Sequence, residues 1–148
     1  MIKDRYTSVY FNIAKEVSSL SYAERLKVGA IIVKENKIIS IGFNGTLPGG
    51  DNICEEFFQE FNDNESFGGL FTKPEVVHAE KNALYKLAKS HESGENSIMF
   101  CTHSPCFECA KGIIMSGIKG FFYESDYSSD LGIELLKKNG VYIEKRNL

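Results

Sequence analysis

The second half of the chain alternates predicted helices and strands, and this order constrains the fold more than any other feature. A helical pattern covers residues 76–89 and is followed by an apolar stretch at 97–102. A second helical pattern at 106–116 precedes another apolar stretch at 118–124, and the remaining residues predict one more helix and then a strand. Strands that alternate with helices form βαβ units, so the sequence predicts an α/β fold.

The first half adds one helix and a hairpin to this prediction. Apolar residues recur at helical spacing from Tyr6 to Val17, which indicates an amphipathic helix. Two β-branched stretches, 28–33 and 38–43, flank a polar turn and predict an antiparallel hairpin. The sheet is therefore expected to be mixed, with helices on both sides.

A long irregular connection separates the two halves. Between Asn44 and Pro74 the sequence is rich in Gly, Asn, Asp and Phe, and a connection of this length is typical of a binding loop or lid. Part of it, from Glu55 to Phe61, is predicted to be helical.

Length and charge limit the kinds of protein this chain can be. With 148 residues and a mass of 16.6 kDa, it is expected to form one domain over residues 1–148. The net charge of −3 argues against a nucleic acid polymer as partner, because proteins that follow a phosphate backbone carry basic patches. The sequence has no signal-peptide pattern and no apolar run near the roughly 20 residues that cross a bilayer. We therefore expect a cytoplasmic protein without membrane contact, whose four cysteines are thiols or metal ligands.

Two short motifs carry the candidate chemistry. The first, HAE, holds His78 and Glu80, and the second, PCFEC, holds Cys106 and Cys109; each opens a predicted helix. Because the cysteines are three residues apart, they share a helical face and can bind one ion. Positive charge at a helix start also lowers thiol pKa values. Zinc held by one histidine and two cysteines keeps a fourth position open for water, which is the arrangement of a catalytic site.

Glu80 is the predicted proton carrier. Zinc lowers the pKa of its bound water to about 7, and a nearby carboxylate that is not a ligand can take that proton and pass it on. The pattern H-x-E…P-C-x-x-C is typical of zinc-dependent nucleobase deaminases. The alternative is a structural zinc site, which would bring a fourth ligand from Cys54, Cys101, His91 or His103. A disulfide oxidoreductase would need neither the histidine nor the glutamate.

On these motifs the sequence resembles the cytidine deaminase-like superfamily, and within it the deoxycytidylate (dCMP) deaminases. The similarity extends over most of the chain, in SYAERLKVGAIIVKENKIISIGFNGT at 21–46, VVHAEKNAL at 76–84, THSPCFECAKGIIMSGIK at 102–119, and the region from Tyr123 to Tyr127. It implies a three-layer α/β/α sandwich with a five-stranded mixed sheet, a Zn²⁺ cofactor, and hydrolysis of dCMP to dUMP with release of ammonia. It also implies a homo-oligomer, often a hexamer.

The resemblance further suggests substrate contacts. Asn44 matches a substrate-contacting asparagine, the backbone amide of Ala79 lies where the base carbonyl is bound, and Tyr127 matches an aromatic residue near the nucleotide. Arg25 and Lys27 are candidates for the nucleotide phosphate. Some family members respond to the effectors dCTP and dTTP, and some carry a second, structural zinc.

Two other functions compete with this interpretation. One is a deaminase of another cytosine or adenine substrate that shares the same metal site. The other is a non-catalytic, zinc-stabilised binding module in which Glu80 only caps a helix. Turnover separates the enzymes from the binding module.

Overall fold

The computed structural model describes residues 2–61, 66–127 and 129–146. These residues form seven strands and four helices. In chain order they are α1 (Asp4–Ser18), β1 (Gly29–Lys34), β2 (Lys37–Phe43), β3 (Glu55–Phe61), β4 (Ser66–Thr72), α2 (Ala79–Ala88), β5 (Ile98–His103), α3 (Phe107–Met115), β6 (Gly120–Ser125), α4 (Leu131–Lys138) and β7 (Tyr142–Lys145).

Five strands form one mixed sheet in the order β2-β1-β5-β6-β7. The hairpin strand β1 pairs antiparallel with both β2 and β5, whereas β5, β6 and β7 are mutually parallel. The parallel part follows the predicted βαβ units, and the antiparallel part follows the predicted hairpin. The predicted α/β class with a five-stranded mixed sheet is confirmed.

Helices cover both faces of this sheet. Successive side chains of each strand point to opposite faces, and they form one buried cluster on each face. On one face, α1 contributes Phe11 and Ala14 to a cluster that contains Ile31 and Phe100. On the other face, α2, α3 and α4 pack against a second cluster, whose members from the sheet are Ala30, Ile32, Met99, Cys101, Phe121 and Tyr123. The result is the three-layer α/β/α arrangement that the sequence predicts. None of the described helices is long and apolar enough to span a membrane.

The connection between Asn44 and Pro74 differs from its prediction. The segment Glu55–Phe61, predicted as helical, is the strand β3, which pairs antiparallel with β4 from Glu55 opposite Thr72 to Phe61 opposite Ser66. These two strands form a separate sheet. The helix prediction was wrong because a strand needs a pairing partner, and the partner β4 could not be recognised. It lies only a few residues further along the chain, but its glycines give no strand pattern.

Helix α2 begins at Ala79, three residues later than predicted. Val77 forms an antiparallel bridge with Gly45, in which each backbone N–H donates to the other residue's carbonyl at 2.8 and 3.1 Å. This pairing holds the chain extended up to His78, which becomes the residue that precedes the first helical turn. The end of β2 therefore fixes where α2 starts.

Strand β2 and helix α2 approach each other at a glycine. A Cβ atom on Gly42 would lie 2.5 Å from the backbone nitrogen of Ala83 and 2.9 Å from its Cβ, and would also clash with the Ala79 carbonyl. The Ser40 hydroxyl donates to the Ala83 carbonyl at 2.8 Å, and Asn82 accepts the Phe43 N–H at 3.1 Å. Only glycine permits this contact between the backbones.

Candidate functional site

Two helix N-termini meet at the carboxyl end of β5 and bring three metal-binding side chains together. His78 precedes α2, Cys106 precedes α3, and Cys109 lies in the first turn of α3. His78 Nδ1 is 3.4 Å from Cys106 Sγ and 3.3 Å from Cys109 Sγ. The three ligand atoms lie within 4.8 Å of one another, so they could hold one metal ion. In the described part of the chain, no fourth His, Cys, Asp or Glu joins this group.

The pKa values of the two thiols are shifted in opposite directions. The hydrogen bond with Cys109 holds the pKa of Cys106 to about 4, and the same contact, together with burial, raises the pKa of Cys109. The Cys109 backbone N–H also donates to Cys106 Sγ at 3.3 Å, which further favours the Cys106 thiolate. A metal that binds both sulfurs must displace the remaining proton, so its affinity is expected to increase with pH.

Glu80 lies beside the three ligand side chains but outside their group. Its residue is 4% exposed, and the Cys101 thiol donates to Oε1 at 3.4 Å. Burial raises the pKa of the Glu80 carboxyl above its ordinary value. A carboxyl whose pKa moves toward neutrality is suited to taking up and releasing a proton during a reaction.

A cavity of about 310 Å³ opens over this cluster. Of the residues that the sequence singles out, seven line it: Arg25, Asn44, His78, Ala79, Glu80, Cys106 and Tyr127. Cys109 is buried and belongs to the group of three metal-binding side chains, but neither Cys109 nor Lys27 is among the lining residues. The predicted residues thus come together in one place, with Lys27 as the exception.

Asn44 holds the chain that forms one wall of the cavity. Its side-chain oxygen accepts the Val28 N–H at 2.8 Å, and its side-chain nitrogen donates to the Leu26 carbonyl at 2.8 Å. The Ser21 hydroxyl donates to the Asn44 carbonyl at 2.7 Å. One amide hydrogen of Asn44 and one lone pair are left for a ligand.

The base of the β3–β4 hairpin forms another part of the wall. The Glu55 carboxylate is buried and accepts the backbone N–H groups of Glu24 at 3.0 Å and Arg25 at 3.1 Å. The Arg25 guanidinium donates to the Thr72 hydroxyl at 3.1 Å, opposite Glu55 in the hairpin. Both hairpin strands therefore position Arg25 at the cavity.

Sequence reasoning assigned no substrate contact to four polar residues that line the cavity, Glu55, Thr72, His103 and Ser104, and it considered His103 only as a fourth ligand of a structural zinc. Ser104 accepts the Tyr127 N–H at 2.7 Å and so holds that aromatic residue beside the cavity. His103 and Ser104 had a usable signal, since they lie between a predicted strand and the PCFEC motif. Glu55 had none, because its partners are 30 and 31 residues away.

The two other cysteines are separate from the metal-binding group. Cys101 is fully buried in β5, and burial raises its pKa well above the ordinary value. Cys54 is 1% exposed and lines the cavity, and burial also raises its pKa. Neither provides a fourth ligand to the group.

Comparison with known proteins gives a consistent family. Residues 4–125 match the family model of the cytidine and deoxycytidylate deaminase zinc-binding region. The ComE operon protein 2 of Bacillus subtilis (strain 168) is 32% identical over 141 residues, which cover 94% of this chain and 70% of that protein. The deoxycytidylate deaminase of phage T4 is 31% identical, with 83% of this chain and 79% of that protein covered. The deoxycytidylate deaminase of Schizosaccharomyces pombe is 30% identical, and the chain spans 44% of its length.

Solved structures agree with this comparison. The crystal structure of dCMP deaminase from the cyanophage S-TIM5, in complex with dCMP and dUMP, matches with a TM-score of 0.85. It is 41% identical, and the match covers 99% of this chain and 100% of that one. A wobble-position tRNA deaminase matches with a TM-score of 0.61 at 15% identity, which supports the fold alone.

Proposed function

Because this chain belongs to the cytidine and deoxycytidylate deaminase family, we propose that it hydrolyses dCMP to dUMP and releases ammonia. The observation that carries the proposal is the group of His78, Cys106 and Cys109 beside the buried Glu80, in a cavity lined by both motifs. The 41% identity to the cyanophage enzyme supports dCMP as the substrate. Neither a binding module nor an adenine deaminase is favoured.

Zinc fits the donor set. One imidazole nitrogen and two cysteine sulfurs, all within 4.8 Å, are the ligands that Zn²⁺ prefers, and a three-residue set leaves one position open. Bound there by His78, Cys106 and Cys109, the ion supplies a Lewis acid that makes water a nucleophile at neutral pH. Among the described residues, this is the site at which the family's zinc would act.

Glu80 is proposed as the proton carrier. Its carboxylate takes a proton from the attacking water and delivers it to the ring nitrogen next to the carbon that bears the amino group. The same carboxylate then takes the second proton of that water from the new hydroxyl group and passes it to the amine, so that the C–N bond breaks, ammonia leaves, and the water oxygen stays on the ring carbon as the carbonyl. The raised pKa of Glu80 and its burial suit both transfers.

The rest of the nucleotide is assigned to the cavity wall. The Ala79 N–H, at the start of α2, is proposed to bind the base carbonyl. Asn44 is proposed to bind the sugar with its second amide hydrogen. Tyr127 is half-exposed and lines the cavity, where it is proposed to lie near the nucleotide. Arg25 is the favoured phosphate ligand because it lines the cavity, whereas Lys27 is not among the lining residues.

Assembly, location and regulation also belong to the proposal. A homo-oligomer such as a hexamer would cover exposed apolar side chains on α2 and α3, including Tyr85 and Met115, which are 57% and 86% exposed. The enzyme is proposed to be cytoplasmic, to supply dUMP for thymidine nucleotide synthesis, and to respond to dCTP and dTTP. A monomer mass by light scattering at micromolar concentration would contradict the assembly.

Ammonia release from a substrate panel tests the function. We expect the highest kcat/KM with dCMP, and lower values with deoxycytidine, CMP, single-stranded DNA and adenosine-containing tRNA stem-loops. Deoxycytidine has no phosphate, so the protein donors that bind the phosphate of dCMP are left unpaired. This makes deoxycytidine a poorer substrate. The Glu80→Gln protein is the matched control for background hydrolysis. Equal kcat/KM values for dCMP and deoxycytidine would contradict the preference for a monophosphate. No turnover of any of these substrates would contradict the assignment as a deaminase.

A further inference from the structure

His103 places a polar ring in the cavity at the end of the central parallel strand. It is the last residue of β5 and lies opposite Ser125 of β6. Its side chain is half-buried and lines the same cavity as Glu80 and Arg25. In open α/β sheets, ligands bind beyond the carboxyl ends of the strands, which is where His103 lies.

The neighbouring threonine determines which ring nitrogen carries the proton. Thr102 Oγ1 accepts the Gly29 N–H at 3.1 Å and lies 2.8 Å from His103 Nδ1. If Nδ1 carried the proton, Oγ1 would accept two hydrogens and its own hydrogen would be left unpaired at a residue that is 6% exposed. Buried polar groups are almost always hydrogen-bonded. The Thr102 hydroxyl therefore donates to Nδ1.

The surroundings of the ring favour its neutral form. Burial lowers the pKa of His103, and the Glu124 carboxylate acts against this effect. The Glu124 carboxylate is bonded to Arg146 at 3.1 Å, which weakens its pull on the imidazole. With Nδ1 accepting, a neutral ring carries its proton on Nε2. Within the described ranges no protein group accepts a hydrogen bond from Nε2.

On the cytosine ring, each acceptor atom already has an assigned partner. The amino group is itself a donor, the ring nitrogen is assigned to Glu80, and one lone pair of the carbonyl oxygen is assigned to the Ala79 N–H. Most of the nucleotide's unassigned lone pairs are therefore on the oxygens of the sugar and phosphate.

Resting on the proposed function, we propose that His103 Nε2–H donates a hydrogen bond to a sugar or phosphate oxygen of the nucleotide. His103 is thus a substrate-binding residue, and Thr102 is a positioning residue that fixes its tautomer.

Steady-state kinetics with two variants tests the donor. His103→Leu removes it at similar size, and His103→Gln keeps an N–H donor. We expect the leucine variant to lose about 10- to 100-fold in kcat/KM for dCMP, and the glutamine variant to recover most of this loss. Zinc content and circular dichroism should be unchanged in both. If the leucine variant keeps the wild-type value, or the glutamine variant is as impaired as the leucine variant, the donor role is wrong.

Comparing deoxycytidine with dCMP distinguishes a sugar oxygen from a phosphate oxygen as the acceptor. If the bond goes to the phosphate, the leucine substitution lowers kcat/KM for dCMP and leaves deoxycytidine unchanged. If it goes to the sugar, both substrates lose the same factor. Either pattern supports the proposal, and a loss confined to deoxycytidine contradicts it.

Nitrogen-15 NMR of the imidazole rings tests the tautomer without turnover. His103 signals are assigned by their absence from His103→Gln, and we expect the neutral form with the proton on Nε2. Thr102→Ser should preserve this form, whereas Thr102→Val should allow both tautomers. A proton on Nδ1 in the wild-type protein would overturn the proposal. Failure of the wild-type enzyme to act on dCMP would refute the proposed function instead, and would leave this measurement valid.

Discussion

Replacing Gly42 by alanine should displace the helix that carries His78 and Glu80. The added Cβ would lie 2.5 Å from the Ala83 nitrogen, where an ordinary contact begins near 3.4 Å, so strand and helix must separate by about 0.9 Å. The atoms in the way are backbone and a methyl group, which no side-chain rotation can remove. Overpacking of this kind costs about 1–3 kcal/mol.

The displacement acts on the site as well as on stability. His78 and Glu80 would move with α2, while Cys106 and Cys109 stay with α3. A misplacement of about 1 Å can cost on the order of 100-fold in rate. We therefore expect Gly42→Ala to bind zinc less tightly and to lose about 100-fold in kcat for dCMP. Its Tm should fall by about 2–4 °C for each kcal/mol lost.

Gly45→Ala is the matched control. Gly45 lies just after the end of β2, three residues beyond Gly42, but its added Cβ would meet the Phe43 ring at 4.0 Å and no closer atom. Thermal unfolding, zinc content after dialysis, and ammonia release should be measured on both variants and the wild-type protein. If Gly42→Ala matches Gly45→Ala in all three, contact between β2 and α2 does not position the site.

Three further predictions concern single side chains. Cys106→Ser should lose most of the bound zinc, because one of three ligands is removed; stoichiometric zinc by metal analysis would contradict the ligand assignment. Glu80→Gln should keep zinc, fold and assembly while losing at least about 100- to 10,000-fold in turnover, and more than a few per cent of wild-type activity would exclude the proton-carrier role. Glu55→Ala leaves the backbone N–H groups of Glu24 and Arg25 without an acceptor, so unfolding in urea should show a loss of about 1–3 kcal/mol. Glu55→Gln keeps the acceptor oxygen and should lose clearly less; equal losses would refute this reading of the contact.

Local sequence patterns predicted the layers of the fold and the residues proposed to bind zinc and carry protons. Near-continuous apolar runs in β1 and β5 identify strands, because both faces of the sheet are buried there. The HAE and PCFEC motifs identified His78, Glu80, Cys106 and Cys109 because each motif lies within one helix start. Such features depend on neighbours within a few residues, and those neighbours are visible in the sequence.

Features that depend on distant partners were not predictable in this way. The strand β3 was missed for a different reason, since its partner β4 is close in sequence but contains glycines and shows no strand pattern. Asn44 was predicted to contact the substrate, and its use of two amide positions to hold Leu26 and Val28 became evident only in three dimensions. The tautomer of His103 likewise depends on Gly29, which is far away in sequence.

The separate β3–β4 sheet has a consequence for how proteins of this kind can diversify. In the described residues its strands pair only with each other, and its links to the cavity lie at its base, through Glu55 and Thr72. We therefore expect that changes in the described strands beyond the base leave the metal-binding side chains in place, provided that Glu55 and Thr72 are kept. The hairpin is therefore a candidate site for inserting a fluorescent reporter. It is also a place where a regulatory insert could arise during evolution, because its base contacts the cavity wall.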